Sequence, residues 1–346
     1  MKRWMAMLLS LFFCVALAQT PEARQTADQA VQGWVQGKYR IQPDQVGNTR
    51  EVVLRFLRFQ QAVPVEKVDI QKGQYVSAQQ DKELYVYPLE GNVKGNVLIE
   101  VQKDASGWQA RSVRTTLQNV GIPSWLKGPA FVWGFTLISV VFLLGMVFPT
   151  PIRKGFVHAW KVALRPEYRV WFWTPQVLLY GSFLFGMFSA YQDPELAREL
   201  QAYLGSTLTS TGIQQFMGAG VMTLATGITL WNFFSGAVLT TFLPGLFFGF
   251  PAVLFNLLRF SVLGIGLSPA LIPMSSFIPH IPVMVLELQA YIFVASFAVV
   301  TLIRMFKEGF GKALKEYPLS LLVAFVFLLL GNWYEAFELL YLIPRS

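Results

Sequence analysis

Residues 216–267 are almost continuously apolar for about 50 positions, long enough for two membrane-spanning helices of about 20 residues each. No soluble fold needs a run of this kind, and further apolar runs flank it. A first lies at 129–149, "PAFVWGFTLISVVFLLGMVFP", a second at about 171–190, another at about 281–303 and a last at about 318–338. Charged residues make up only 14% of the 346-residue chain, against roughly 25% in soluble domains. The expected fold class is therefore a mainly α polytopic membrane bundle of about six transmembrane helices. The net charge of +8 does not indicate nucleic acid, because the basic residues cluster beside the apolar runs, where the positive-inside rule places them.

The start, "MKRWMAMLLSLFFCVALAQT", has a basic beginning, an apolar run and Ala16-Leu17-Ala18 before Gln19. This is the pattern of a secretory signal peptide over residues 1–18. Cys14 is the only cysteine and would leave with that segment. Phe13 precedes it where a lipoprotein signal wants a small residue, so a lipid-modified cysteine is not expected. The mature chain then has no thiol for disulfides, thiolate catalysis or a cysteine zinc site. An uncleaved signal anchor is the alternative.

Residues 19–127 read as a soluble α+β domain on the extracytoplasmic side. "ARQTADQAVQGWVQGKY" has the spacing of a short amphipathic helix. Strand-like runs follow: "EVVLRFLRF", "KELYVYPLEG" and "NVLIEVQKDASGWQARSVRT", the last a hairpin turning at Asp104–Gly107. The segment resembles the cone-shaped NTF2-like or cystatin-like domains. It carries no histidine or cysteine and no catalytic constellation, which leaves a spacer or a binding module for envelope proteins or the cell wall.

Charge then sets the orientation. The loop 150–169 carries Arg153, Lys154, Lys161, Arg165 and Arg169 against Glu167, and "RMFKEGFGKALKE" after the fifth run is again basic. Both are expected on the cytoplasmic side of a bacterial inner membrane. His158 in the first loop reads as an interfacial side chain. The segment "QDPELARELQAYLGSTLTSTG" suits the outer side, its ELARELQAYL portion amphipathic along the surface. The turn between the third and fourth spans is expected within Gly236–Gly245. With an exported amino-terminal domain, six crossings also leave the carboxyl terminus outside.

Ionisable and amide side chains inside the apolar runs are expensive in hydrocarbon and mark sites or pairs. On this topology Asn256 and Arg259 lie in the outer half of the fourth span, three residues apart on one face. His280 and Glu287 lie two turns apart on the fifth, about 10 Å along the axis. Asn332 and Glu335 reach the same level on the sixth, and Asn232 opens the apolar stretch of the third. Arg259 is the cation at that depth, so Arg259–Glu287 is the expected pair, with Glu335 second. Helix-packing glue is one reading; a site open to the outer face for a ligand, lipid headgroup or partner segment is the other. "LSPALIPMSSFIPHIP", with Pro273, Pro279 and Pro282, is expected to be a broken outer loop. Two ligands, His280 and Glu287, are too few for zinc. No activated nucleophile and no phosphate loop is visible, so neither a metal, a cofactor nor an enzyme activity is expected.

Over residues 170–346 the chain resembles the stage II sporulation protein M family. Asn232, Gly245, Gly249, Asn256 and Gly264 follow its asparagine–glycine pattern. "IPHIPVMVLELQAY" follows its Pro-His and Glu-Leu-x-Ala elements, and "WYEAFE" its terminal Glu-Ala-Phe. His280 and Glu287 stand seven apart where the family has about four, and Leu257 follows the second asparagine in place of glycine. The resemblance implies a non-enzymatic scaffold organising envelope partners, in the name-giving members peptidoglycan-degrading enzymes during engulfment. The alternative is a permease or channel component with a polar site open to the outer face. A homo-oligomer is compatible with both.

Overall fold

The computed structural model describes residues 20–39, 49–59, 67–79, 81–90, 95–117, 123–210, 216, 220–247 and 249–342. The expected signal peptide lies outside the described residues. The chain divides into two compact units, one of residues 1–121 and 202–212, the other of residues 122–201 and 213–346.

The first unit opens with helix α1, Pro21–Val35, which has proline in its first turn and Glu22 beside the positive helix end. Ala23, Ala27, Ala30, Val31 and Trp34 make its buried stripe. Helix α2, Thr49–Arg58, stands where "EVVLRFLRF" was expected to be a strand. Its apolar residues satisfy a period of two as well as a helical one. Leu54 and Leu57 are buried three apart, Glu51 sits in the first turn and Arg55 and Arg58 in the last, all of which favour the helix. An antiparallel meander follows: β2 (Gln74–Gln79), β3 (Lys82–Glu90), β4 (Gly95–Asp104) and β5 (Gly107–Leu117), with the two-residue β1 (Lys67–Val68) paired to the end of β3. The expected hairpin is present, Asp104 facing Gly107, whose φ of +113° suits glycine. Tyr85, Tyr87, Val97, Ile99, Val101 and Val113 alternate onto the face that α1 covers.

The second unit is helical: α3 (Pro129–Val147), α4 (Pro151–Ala163), α5 (Arg169–Gln192), α6 (Pro194–Ser210, which continues into the first unit), α7 (Val221–Leu246), α8 (Phe250–Gly266), α9 (Met274–Glu308), α10 (Phe310–Glu316) and α11 (Leu319–Phe337). Among the described residues, four stretches are long and apolar enough to cross a membrane: Pro129–Val147, Val221–Leu246, Met274–Glu308 and Phe310–Leu342. They are consistent with a multi-pass membrane protein. Helix α8 is apolar but shorter.

Two expectations about connections are corrected. The turn between the third and fourth apolar runs is not inside Gly236–Gly245, which is helical, but follows Leu246, the end of α7, and Gly249, with a φ of +72°, leads into α8. A side chain there would also collide with the Ala298 carbonyl, 2.9 Å from a built Cβ. The proline-rich stretch is not a broken loop throughout, since α9 begins at Met274 and carries Pro279 and Pro282 within it. Pro279 and Pro282 are the sixth and ninth residues of the helix, past its free first turn, so each leaves one carbonyl of the preceding turn without its backbone donor.

Helix α9 is the axis of this unit. Every residue from Ala290 to Leu302 is buried. Contacts give the directions of its neighbours. Helix α7 runs parallel to it, with Asn232 by Glu287 and Gly245 by Ala298. Helices α5 and α11 run antiparallel, with Phe172 by Phe293 and Tyr180 by Gln289, Gly331 by Leu286 and Tyr334 by Pro279. Helix α8 runs parallel to α5: Ser182 donates to the Leu257 carbonyl at 2.6 Å and Ser268 to that of Met187 at 2.9 Å. Large apolar side chains face outward instead, among them Leu137, Val141, Val177, Phe185, Leu254 and Leu258. Such a surface suits lipid.

Candidate functional site: a polar cluster at the start of the central helix

The polar residues meet where α7 leaves regular helix geometry. From Asn232 to Phe242 its backbone is π-helical, a wider winding that recurs at functional sites. Asn232 opens that stretch and is half-buried. Its Nδ2 donates to the Glu287 carboxylate of α9 and, at 3.0 Å, to Oδ1 of the fully buried Asn332 on α11. Helices α9 and α11 touch closely here because Gly331 has no side chain; a Cβ on it would stand 3.6 Å from Cγ of Glu287. One turn beyond Gly331, Glu335 stands near enough to Glu287 for the two carboxyl charges to act on each other. Four of the seven expected residues thus form one centre: Asn232, Glu287, Asn332 and Glu335.

Two flanks extend it. On one, His280 Nδ1 lies 3.2 and 3.1 Å from the two oxygens of Glu338, which is fully buried and opens a second π-helical stretch, Glu338–Leu342. The Tyr334 hydroxyl donates to the Pro279 carbonyl at 3.1 Å and ties the same two helices together. On the other flank stands Arg259. The expected Arg259–Glu287 ion pair does not form within 4.0 Å. The guanidinium donates to Thr240 Oγ1 at 3.0 Å and to the Gly236 carbonyl at 3.4 Å, and lies over the Tyr291 ring. Glu287 feels it as a nearby charge only.

Asn256 is not in the centre. Its Nδ2 donates to the Ala252 carbonyl at 2.7 Å and to Thr241 Oγ1 at 3.2 Å, so it joins α8 to the π-helical stretch of α7. Two buried atoms of the cluster lack partners: Asn332 Nδ2 and Glu335 Oε2.

Glu338, Tyr291 and Thr240 were not anticipated. The signal for Glu338 was present, since Glu335 and Glu338 are three apart and share a helix face. Also unanticipated is a second cluster, at the far end of α9. Arg304 is fully buried. Its Nε and one terminal nitrogen reach the two oxygens of Glu308 at 3.1 and 2.9 Å, and the other nitrogen reaches Glu316 at 2.6 Å. Glu308 also accepts from Arg165 at 3.2 Å and from the Tyr168 hydroxyl at 2.8 Å, and pairs with Lys312 at 3.2 Å. Burial and then the Glu308 carboxylate hold the Tyr168 phenol above its usual range, so it stays a donor. His158 Nε2 lies 3.4 Å from Glu316. The two basic segments expected on one side of the membrane are therefore in contact.

Among the described residues no group of three or more His, Cys, Asp or Glu is arranged to hold a metal ion. Compared with protein-family models, curated proteins and solved structures, the chain matches none.

Proposed function

We propose that the chain is a non-enzymatic integral membrane scaffold that organises cell-envelope partners, peptidoglycan-remodelling factors among them. The observation that carries this reading is the solid interior of the helical unit. Between the outer cluster at Glu287 and the inner cluster at Arg304, α9 advances about 26 Å at 1.5 Å per residue. Over that length every residue from Ala290 to Leu302 is buried, and only Ser296 and Thr301 are polar. A bundle whose central helix is packed in this way holds its two ends at fixed positions.

The alternating directions of α5, α7, α8, α9 and α11 support a fuller arrangement. In it α3, α5, α7, α8, α9 and α11 make six crossings. The signal peptide exports residues 19–127, the clusters of basic residues face the cytoplasm and the carboxyl terminus is outside. The resemblance to the stage II sporulation protein M family in residues 170–346 fits the same role. The exported α+β domain is then the part that meets an envelope protein or the wall.

Tagged full-length chain extracted in mild detergent should copurify with a defined set of envelope proteins. It should lose them when residues 20–117 are deleted while the membrane unit remains folded. A lone oligomer whose reconstituted vesicles pass small solutes would instead make it a permease or channel component, with the Glu287 cluster as its outer vestibule.

A further inference from the structure

We propose that the Arg304 end of the helical unit is a docking face for anionic phospholipid, whose headgroup phosphates seat on Lys154, Lys161, Arg169 and Lys307. The inference rests on the chain lying in a bilayer and does not depend on the scaffold role.

The first support is where the acids of this end point. Glu167, Glu308 and Glu316 are the acidic residues of segments 150–169 and 304–317. Two of them are withdrawn and occupied. Glu308 is held by Arg304, Arg165, Lys312 and the Tyr168 hydroxyl, and Glu316 by Arg304 with His158 beside it. Only Glu167 is exposed. Against it stand Arg153, Lys154, Lys161, Arg169, Lys307 and Lys315, all exposed. Among the described residues none of these six has a carboxylate within 4.0 Å. Arg153 donates to the Val147 carbonyl at 3.2 Å, and the Lys307 ammonium lies over the Tyr168 ring. The carboxylates are thus spent on the interior of the cluster, and the rim carries a surplus of positive charge for a partner outside the chain.

The second support is the way α4 lies. Ala159, Val162 and Ala163 bury one face of it, and Gly155 lets it press against Leu322 of α11. Lys154, Val157, Lys161 and Leu164 follow one another at spacings of three and four along an exposed strip. Cations alternating with apolar side chains on such a strip suit a helix at the bilayer interface. The aliphatic stems lie along the acyl boundary and the charged heads reach the phosphates.

The third support is what the cations adjoin. Trp171 and Trp173 in the first turns of α5 and Phe306 near the end of α9 are exposed. On α5 the exposed apolar side chains continue through Val177 to Phe185. The basic rim therefore stands at the end of a lipid-facing surface, at the level where tryptophan marks the headgroup layer. An acidic soluble protein would neutralise the lysines but leave the aromatic rim in water. A zwitterionic headgroup brings its own cation and leaves the surplus uncompensated, whereas an anionic one removes it.

Electron spin resonance of the full-length chain in phosphatidylcholine vesicles, with spin-labelled phosphatidylglycerol or spin-labelled phosphatidylcholine as the probe, measures which lipid the protein surface holds. At low salt a preference of about fivefold for phosphatidylglycerol is expected, the effect of about one lysine at an anionic surface. It should shrink towards parity at about 1 M salt, where screening acts within about 3 Å. The triple variant Lys154→Gln/Lys161→Gln/Lys307→Gln should lose most of it. The variant Lys38→Gln/Lys72→Gln/Lys103→Gln removes the same charge from the first unit and should keep it. Equal retention of the two lipids by the wild type, which needs no variant to fold, would overturn the proposal and leave the face to a soluble acidic partner. So would an unchanged preference in the first variant, or an equal loss in both, which would make net charge the cause.

Discussion

The guanidinium carbon of Arg259 lies 4.3 Å from the centroid of the Tyr291 ring, and it is this ring, not the Glu287 carboxylate, that holds the cation of the Glu287 cluster. Cation–π attraction reaches about 2 kcal/mol where water is excluded. Tyr291 is buried, and Gly236 of α7 leaves room for its ring. A double-mutant cycle of Arg259→Met with Tyr291→Leu, followed by denaturation in detergent, should therefore give a coupling of about 1–2 kcal/mol. The cycle of Arg259→Met with Glu287→Gln should give a smaller one. The opposite order would restore the ion pair that the sequence pattern favours.

Arg304 differs from Arg259 because all its donors point at carboxylates. Removing one member of a buried ion pair typically costs about 3–5 kcal/mol, since the remaining charges lose their partner. Arg304→Met takes the shared cation from Glu308 and Glu316, but Glu308 keeps Arg165, Tyr168 and Lys312 and Glu316 keeps His158, so the loss should fall at or below the lower end of that range in the same denaturation assay. Glu316→Gln should cost clearly less, because Glu308 still grips Arg304 through two of its nitrogens. Equal losses for the two variants would mean that Glu316 supplies most of the hold.

The sequence made the depth of the polar residues legible but not their partners. Helical spacing places Glu287 and Asn332 at one level whatever the packing, because rise per residue is fixed. Pairing depends on rotation of each helix about its axis. The π-helical winding from Asn232 to Phe242 alters that rotation in α7, and nothing in "NFFSGAVLTTF" announces it. Arg304 was read as one more residue of a basic cytoplasmic end, since charge counts alone do not tell a buried arginine from a solvated one. In the first unit the meander and the Asp104–Gly107 turn were legible because alternation and glycine have local causes. Helix α2 was not, because "EVVLRFLRF" satisfies two periods and tertiary contact decides between them.

The orientation assigned to the bundle has a direct check at two exposed positions. Lys154 lies in α4, in the basic segment that meets Glu308 and Glu316 through Arg165 and His158. Gln192 ends α5 and is also exposed. In a Cys14→Ser background, Gln192→Cys should react with a membrane-impermeant thiol reagent in intact cells, and Lys154→Cys only after permeabilisation. Labelling of Lys154→Cys in intact cells would invert the arrangement, and the Glu287 cluster would then open to the cytoplasm.

The contact between α5 and α8 should be the least tolerant of added volume. Their backbones meet directly: a Cβ built on Gly186 would lie 2.0 Å from the Ser261 carbonyl oxygen, and one on Gly264 2.0 Å from that of Phe183. Neither obstacle is a side chain that can turn away. Ser182 and Ser261 fill the seam further along, each bonded to the Leu257 carbonyl, so the helices are joined by small residues and hydrogen bonds in the manner of membrane helix pairs. Overpacking typically costs about 1–3 kcal/mol, occasionally more when backbone must move. Gly186→Val and Gly264→Val should each reach or exceed that range, measured by denaturation in detergent. Gly181→Ala, only one residue from Ser182, is the control. Its added methyl group meets nothing within 4 Å and points into the apolar groove lined by Leu178, Phe185, Leu254 and Leu258. It should leave stability unchanged or raise it by up to about 1 kcal/mol, as alanine does in a helix interior. If Gly186→Val melts with the wild type while Gly181→Ala is destabilised, α5 is rotated from the position described and the parallel pairing with α8 falls.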